Sequence, residues 1–91
     1  MIERKDVMPV NFLKKEKFTG SYRGMRYRME KAAKGEEETV LFVTAWPEPY
    51  GFDATPEEKK IRQEFPFTEE GICSGVDWLN EQYKISFEKT V

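Results

Sequence analysis

Two strand-like segments joined by a turn constrain the fold most. In the first, SYRGMRYRMEKA over residues 21–32, apolar and polar residues alternate, which is the period of a half-buried strand. The second, TVLFVTAW over residues 39–46, is β-branched and aromatic on both faces, as in a better-buried strand. Gly35 and its charged neighbours supply a turn between them. The pair predicts an antiparallel β-hairpin, and Gly24 inside the first segment predicts a β-bulge.

A second pattern predicts an amphipathic helix in the last third of the chain. Thr68 is typical of a helix N-cap, and the two acids that follow it favour the positive end of the helix dipole. Apolar residues then recur at spacings of four, three and four, which places on one helix face Ile72, Val76, Leu79 and Tyr83. We expect this helix to run from about Glu69 to Tyr83 or one turn beyond. For the tail over 85–91, a fraying end and a short strand both remain open.

The other segments are less regular. Residues 47–54 contain two prolines and a glycine and predict a loop. The string TPEE that follows predicts a short helix from Pro56 to Gln63 or Glu64. Residues 1–17 contain Pro9 and predict an extended arm that lies against the core or a neighbour, and that can add a third strand. The predicted fold is α+β in a single domain, with the hairpin packed on the amphipathic helix and the short helix before it.

Composition excludes several classes of function. The 91 residues include no histidine and one cysteine, Cys73, which excludes Ser-His-Asp catalysis, histidine-ligated metals and an internal disulfide. Glu57, Glu58, Glu69 and Glu70 fall at predicted helix starts, where solvated acids are common. No apolar run reaches a membrane-spanning length, and no secretory signal is visible. We therefore expect a cytoplasmic, non-enzymatic protein without catalytic residue, metal, cofactor or membrane contact.

The charge is unevenly distributed along the chain. Residues 1–34 hold ten basic and four acidic side chains, and residues 35–91 hold five basic and thirteen acidic ones. Tyr22, Arg26 and Arg28 are expected to share one face of the first strand. Arginines interleaved with an aromatic ring on a sheet are typical of single-stranded nucleic-acid binding. The alternative is a solvated face whose arginines pair with nearby glutamates.

Two aromatic groups are candidate partner-binding sites. Trp46, Tyr50 and Phe52 fall in or beside the proline-rich loop, which predicts either a surface for a protein partner or a local mini-core at one end of the sheet. Trp78 lies off the main helix stripe, close to two glycines. A tryptophan beside small residues is typical of an interface, and we predict a homodimer with Trp78 at or near the contact. The alternative is that the N-terminal arm covers it.

Several strings resemble a known group of proteins: F-T-G-x-x-x-G-M-R-Y, W-P-E-P-Y, T-P-E-E and E-F-P-F-T-E-E-G with D-W-L-N. Over about residues 14–83 the chain resembles a family of small uncharacterised proteins from Firmicutes, mainly gut Clostridia. Some members carry the label GNAT-type acetyltransferase, so the resemblance implies acetyl-CoA as a ligand. The acetyl-CoA motif [Q/R]-x-x-G-x-[G/A] is not in the sequence, and no catalytic residue is carried over.

Three hypotheses for the function follow. The first is a small binding or interaction module that is not an enzyme. The second is a nucleic-acid-binding module that uses the basic and aromatic strand face. The third is an acetyltransferase-like protein without a recognisable acetyl-CoA motif.

Overall fold

An antiparallel sheet with a helix packed across one face forms the framework of the chain. The computed structural model describes residues 2–36, 38–47 and 51–87. Four strands pair in chain order: β1 (Phe18–Tyr22), β2 (Met25–Lys34), β3 (Glu38–Pro47) and β4 (Ile61–Pro66). Two α-helices accompany them: α1 (Val10–Leu13) and α2 (Glu69–Gln82). The predicted α+β class is confirmed.

The predicted central hairpin is formed by β2 and β3. Met25 lies opposite Pro47 at one end, and Lys34 lies opposite Glu38 at the other. Gly35 has a φ of 79° in the turn, a left-handed conformation that glycine adopts at low cost. We call the face on which α2 packs the inner face; it carries the buried odd-numbered residues of β2 and β3, namely Met25, Tyr27, Met29, Leu41, Val43 and Ala45. The opposite side is the outer face.

The first predicted strand is divided by a tight turn. Arg23 and Gly24 both have positive φ, 44° and 92°, so they form a two-residue hairpin turn rather than a bulge within one strand. Tyr22 therefore lies opposite Met25, and the chain before the turn becomes a strand of its own, β1. The third strand of the sheet comes from this segment and not from residues 1–17.

The segment predicted as a short helix forms a strand instead. Only a 3₁₀ turn, Glu57–Lys59, is helical there, and β4 follows and pairs with β3. Ile61 and Phe65 are spaced by four, which places them on one face of a helix and also on one face of a strand. Pairing with β3 decides in favour of the strand, because the hydrogen bonds between β3 and β4 satisfy backbone groups of both strands.

The N-terminal segment lies against the core. It forms a 3₁₀ turn, Arg4–Asp6, and the single-turn helix α1, which begins directly after Pro9. Three of its side chains are buried in the core cluster: Ile2, Val7 and Leu13. This is one of the two positions that the sequence allowed for the segment, although it is folded into turns and not extended.

Polar contacts attach the N-terminal segment to α2. The Ile2 backbone N–H donates to Asn80 Oδ1 over 2.9 Å, and Asn80 Nδ2 donates to the Ile2 carbonyl over 2.8 Å. Arg4 binds Glu69 with two nitrogens, Nε and Nη2, the latter 2.7 Å from Oε1. The hydrogen bond from Arg4 holds the pKa of the Glu69 carboxyl below its usual range. The segment is thereby held at both ends of α2.

Helix α2 crosses the inner face diagonally. It begins beside Pro66 of β4, where Gly71 approaches the Pro66 carbonyl, and Tyr83 just after its end contacts Tyr22 of β1 with ring centroids 4.9 Å apart. The predicted stripe is confirmed at three positions, since Ile72, Val76 and Leu79 are buried, and at the fourth Tyr83 is partly buried. A π-helical turn, Tyr83–Phe87, continues the helix, so the tail begins helically and residues 88–91 lie outside the described chain.

The N-cap of α2 provides a direct test of the helix start. The Thr68 hydroxyl accepts a hydrogen bond of 3.0 Å from the Gly71 backbone N–H, as the sequence predicts. Thr68→Ala removes this acceptor and is expected to lower the free energy of unfolding by about 0.5–2 kcal/mol in urea denaturation. Thr68→Ser keeps a hydroxyl and serves as the control, which should stay near the wild type. Equal losses in the two variants would contradict the capping role.

Candidate functional site

A row of polar side chains crosses the outer face of the sheet. Arg28 of β2 lies opposite Thr44 of β3, and Thr44 lies opposite Arg62 of β4. Directly opposite residues point to the same side of a sheet, so the three form one cross-strand row. Arg62 Nε donates a hydrogen bond of 3.2 Å to Thr44 Oγ1. Arg26, opposite Trp46, lies in the neighbouring row.

The connection from β3 to β4 folds back over this row with the ring of Phe52. The guanidinium carbon of Arg28 is 4.1 Å from the Phe52 ring centroid, and Lys60 Nζ is 3.9 Å from it. Both distances are those of cation–π contacts. Phe52 also meets Trp46 edge-on, with ring centroids 5.4 Å apart. We call the four basic residues gathered here the cationic cluster: Arg26, Arg28, Lys60 and Arg62.

Glu30 and Glu57 form ion pairs with the cationic cluster. Glu30 Oε2 lies 3.4 Å from Arg28 Nε. Glu57 lies on the 3₁₀ turn before β4, with Oε1 3.4 Å from Lys60 Nζ and Oε2 3.9 Å from Arg62 Nη2. Most of the Glu57 side chain is in water, which weakens its ion pairs. Glu64 lies on the same face, two residues after Arg62, so Glu30, Glu57 and Glu64 all accompany the cationic cluster.

Two nitrogen donors of the cluster are left without an acceptor. In the part of the chain that the structure describes, the Nε–H groups of Arg26 and Arg28 are buried and have no hydrogen-bond partner. The Glu30 carboxylate lies close to Arg28 Nε, but the angle at the N–H group is not that of a hydrogen bond. A buried donor without an acceptor costs about 1–3 kcal/mol, and more when it is charged. Because both nitrogens are closed to solvent, a ligand on the surface would meet the exposed Arg62 rather than these two atoms.

A lysine-lined depression lies beside β2. It has a volume of about 270 Å³ and is lined by Leu13, Lys14, Lys15, Glu16, Lys17, Glu30 and Lys31. Glu30 belongs to both places, because it also pairs with Arg28. The depression and the cationic cluster therefore lie on either side of one glutamate.

The layer formed by α2 has the opposite charge. Its fourteen residues include four acids and no basic residue, the acids being Glu69, Glu70, Asp77 and Glu81. The N-terminal segment packed beside α2 adds Arg4 and Lys5 to this side, where Arg4 pairs with Glu69. The overall charge of −2 therefore does not describe the outer face.

Tyr22 does not belong to the basic face on which the sequence predicted it. It lies on the inner face and packs against Tyr83, while Arg26 and Arg28 point outward. The Arg23-Gly24 turn is the physical reason, because a two-residue turn places the residues on its two sides, Tyr22 and Met25, on the same face.

The loop aromatics form a small core on the outer face. Trp46 is fully buried, with Phe52 against its edge, and Thr55 nearby in the loop is also buried. This is the mini-core that the sequence allowed as the alternative to a partner surface. Tyr50 lies outside the described residues.

Trp78 is partly covered by its own chain. Its ring meets Phe65 of β4 with centroids 6.2 Å apart, and it remains half-buried. The N-terminal segment contacts α2 at Glu69 and Asn80. The predicted homodimer contact at Trp78 stays a prediction.

Three site residues were missed by the sequence interpretation. Lys60 and Arg62 fell in the segment expected to be helical, and Thr44 was read only as part of a buried strand. Because the spacing of Ile61 and Phe65 fits helix and strand alike, the only signal for a strand was Pro66, which disfavours helix at the residue before it.

Among the described residues, no helix is long and apolar enough to cross a bilayer. Comparison of the chain with protein-family models, with curated proteins and with solved structures found no match.

Proposed function

We propose that the chain is a non-enzymatic binding module whose outer sheet face binds single-stranded nucleic acid. The observation that carries this proposal is the cationic cluster itself, which lies on one sheet face beside the Phe52 ring and has Arg62 exposed to solvent. Phosphate oxygens are acceptors of the matching charge, and guanidinium groups bind them with short, strong hydrogen bonds.

The cluster reaches the surface where a phosphate chain can approach it. Arg62 is exposed and Arg26 is half-buried, whereas Arg28 and the Lys60 ammonium lie deeper, against Phe52. The lysine-lined depression adjoins the cluster at Glu30. A polyanion therefore meets positive charge along β2 and not at a single point.

Aromatic rings beside the arginines favour a single strand over a duplex. The Arg62 guanidinium lies 5.6 Å from the ring centroid of Phe42, and Phe42 is partly exposed on the outer face. Unpaired bases stack on aromatic rings of a sheet, while the bases of a duplex are already stacked on each other. The acidic α2 layer repels the phosphate chain from the other side.

Fluorescence anisotropy with a labelled oligothymidylate tests the proposal. Arg26→Gln with Arg62→Gln is expected to raise the dissociation constant about tenfold or more, because a charge-assisted hydrogen bond contributes about 1.5–3 kcal/mol. The salt dependence should also become shallower by about 1.4 in log–log slope, which corresponds to two phosphate contacts. A duplex of equal length should bind more weakly than the single strand.

Lys5→Gln with Lys59→Gln is the matched control. It removes the same charge from exposed positions in two 3₁₀ turns outside the cluster, so binding should change much less. Thermal unfolding of all variants verifies that they are folded. Absence of wild-type binding at low salt, or an equal loss in the control, would refute the nucleic-acid proposal.

We propose the cytoplasm as the compartment, since a single cysteine needs no oxidising environment.

Acetyl-CoA stays a prediction of the family resemblance alone. Titration calorimetry with acetyl-CoA tests it separately, and saturable binding that survives the arginine substitutions would favour that third hypothesis.

A further inference from the structure

The second edge of β4 has no strand beside it in the described chain. The sheet order places β4 at one end of the sheet, with β3 on its only paired side. Alternate residues of such an edge point their N–H and C=O groups away from the sheet. The middle of β4, from Arg62 to Glu64, is exposed. This edge is therefore open to pairing with another strand.

The inner side of β4 is also incompletely covered. Helix α2 starts beside Pro66 and moves diagonally towards β1, so it leaves the Ile61 end of β4 behind. Gln63 points to the inner face, since it lies opposite the buried Val43, yet it is exposed. Phe65 and Trp78 next to it remain half-buried. An apolar surface thus borders the open edge.

We propose that β4 pairs antiparallel with β4 of a second copy, about a two-fold axis at Gln63. The five residues around this axis, Ile-Arg-Gln-Glu-Phe, are complementary to their own reverse order. Arg62 lies opposite Glu64 of the other copy on the outer face, and Ile61 lies opposite its Phe65 on the inner face. Opposite charges and apolar pairs across strands both stabilise the pairing.

The other edge of the sheet lacks this charge complementarity. Pairing of two β1 strands about Gly20 would bring no opposite charges together, because the five residues of β1 carry no charge. The open edge of β4 is therefore the surface that fits a second copy.

A cross-linking experiment tests the position of the axis. In a Cys73→Ser background, Gln63→Cys brings two thiols opposite each other, with Cα atoms about 4.5–5.5 Å apart, within the range of a disulfide. Mild oxidation should convert most of this variant to a covalent dimer. Thr19→Cys, exposed on β1, is the control and should stay monomeric under the same conditions. Efficient cross-linking of the control, or none at Gln63→Cys, would overturn the proposed surface.

A charge exchange tests the register without a covalent bond. In light scattering coupled to size exclusion, without nucleic acid, the wild type should have twice the chain mass at about 100 µM. Arg62→Glu and Glu64→Arg each create like-charge pairs and should shift the protein to monomer, whereas the double variant restores opposite charges and should restore the dimer. Circular dichroism checks that each variant is folded. A monomeric wild type, or a double variant that fails to recover, would overturn the proposal.

Discussion

Trp46→Ala is expected to lower the free energy of unfolding by about 3–5 kcal/mol, the range for removal of a fully buried large aromatic side chain. Trp46 has no exposed surface, although it points to the outer face of the sheet. Phe52 lies against its edge and also carries the contacts with Arg28 and Lys60. Loss of the indole therefore leaves a cavity and also loosens the loop over the cationic cluster. Urea denaturation at a fixed protein concentration measures the effect.

Trp78→Ala is the matched control for this substitution. It removes the same atoms from a half-buried position on α2, so its cost should be clearly smaller. If Trp46→Ala cost no more than Trp78→Ala, the loop would not depend on Trp46, and the mini-core interpretation of the outer face would be wrong.

Gly71→Ala is expected to lower the free energy of unfolding by about 1–3 kcal/mol, although alanine favours a helix by about 1 kcal/mol over glycine. A Cβ atom at this position would lie 1.8 Å from the carbonyl oxygen of Pro66. The obstacle is backbone and cannot rotate away, so the junction between β4 and α2 has to shift. The same denaturation experiment measures the loss.

Two further alanine substitutions on α2 serve as comparisons for the loss of stability in Gly71→Ala. At Gly75 an added Cβ would meet the side-chain ends of Val43, at 2.9 Å, and Met29, at 3.4 Å, which can move, so Gly75→Ala should cost less than Gly71→Ala. Ser74→Ala lies on the exposed side of the helix and should be neutral or slightly stabilising. A Gly71→Ala protein as stable as the wild type would contradict the close approach of helix and strand.

Local sequence patterns predicted the structure correctly where periodicity, turn residues and capping residues all favoured the same element. The alternation in β2, the buried pattern of β3 and the glycine turn between them predicted the central hairpin. Thr68 and the apolar stripe after it predicted both the start and the buried face of α2. In each case the hydrogen bonds and the burial that decide the structure involve residues close together in sequence.

The candidate site could be predicted only in part, because only some of its residues lie close together in sequence. Arg26 and Arg28 were found because they belong to one strand. Lys60 and Arg62 join them through the pairing of β4 with β3, and Phe52 joins them through the fold of a loop. These contacts link residues that are far apart in sequence, and no local pattern records them.

By itself, the sequence determined the fold class, the hairpin, the capped helix and the separation of basic and acidic segments, because each follows from periodicity, capping and composition. The tertiary structure decided which residues share a face. The Arg23-Gly24 turn moved Tyr22 to the inner face, and the spacing of Ile61 and Phe65 became a strand only through pairing with β3. Both outcomes depend on backbone hydrogen bonds and burial supplied by distant segments, which outweigh weak local propensity.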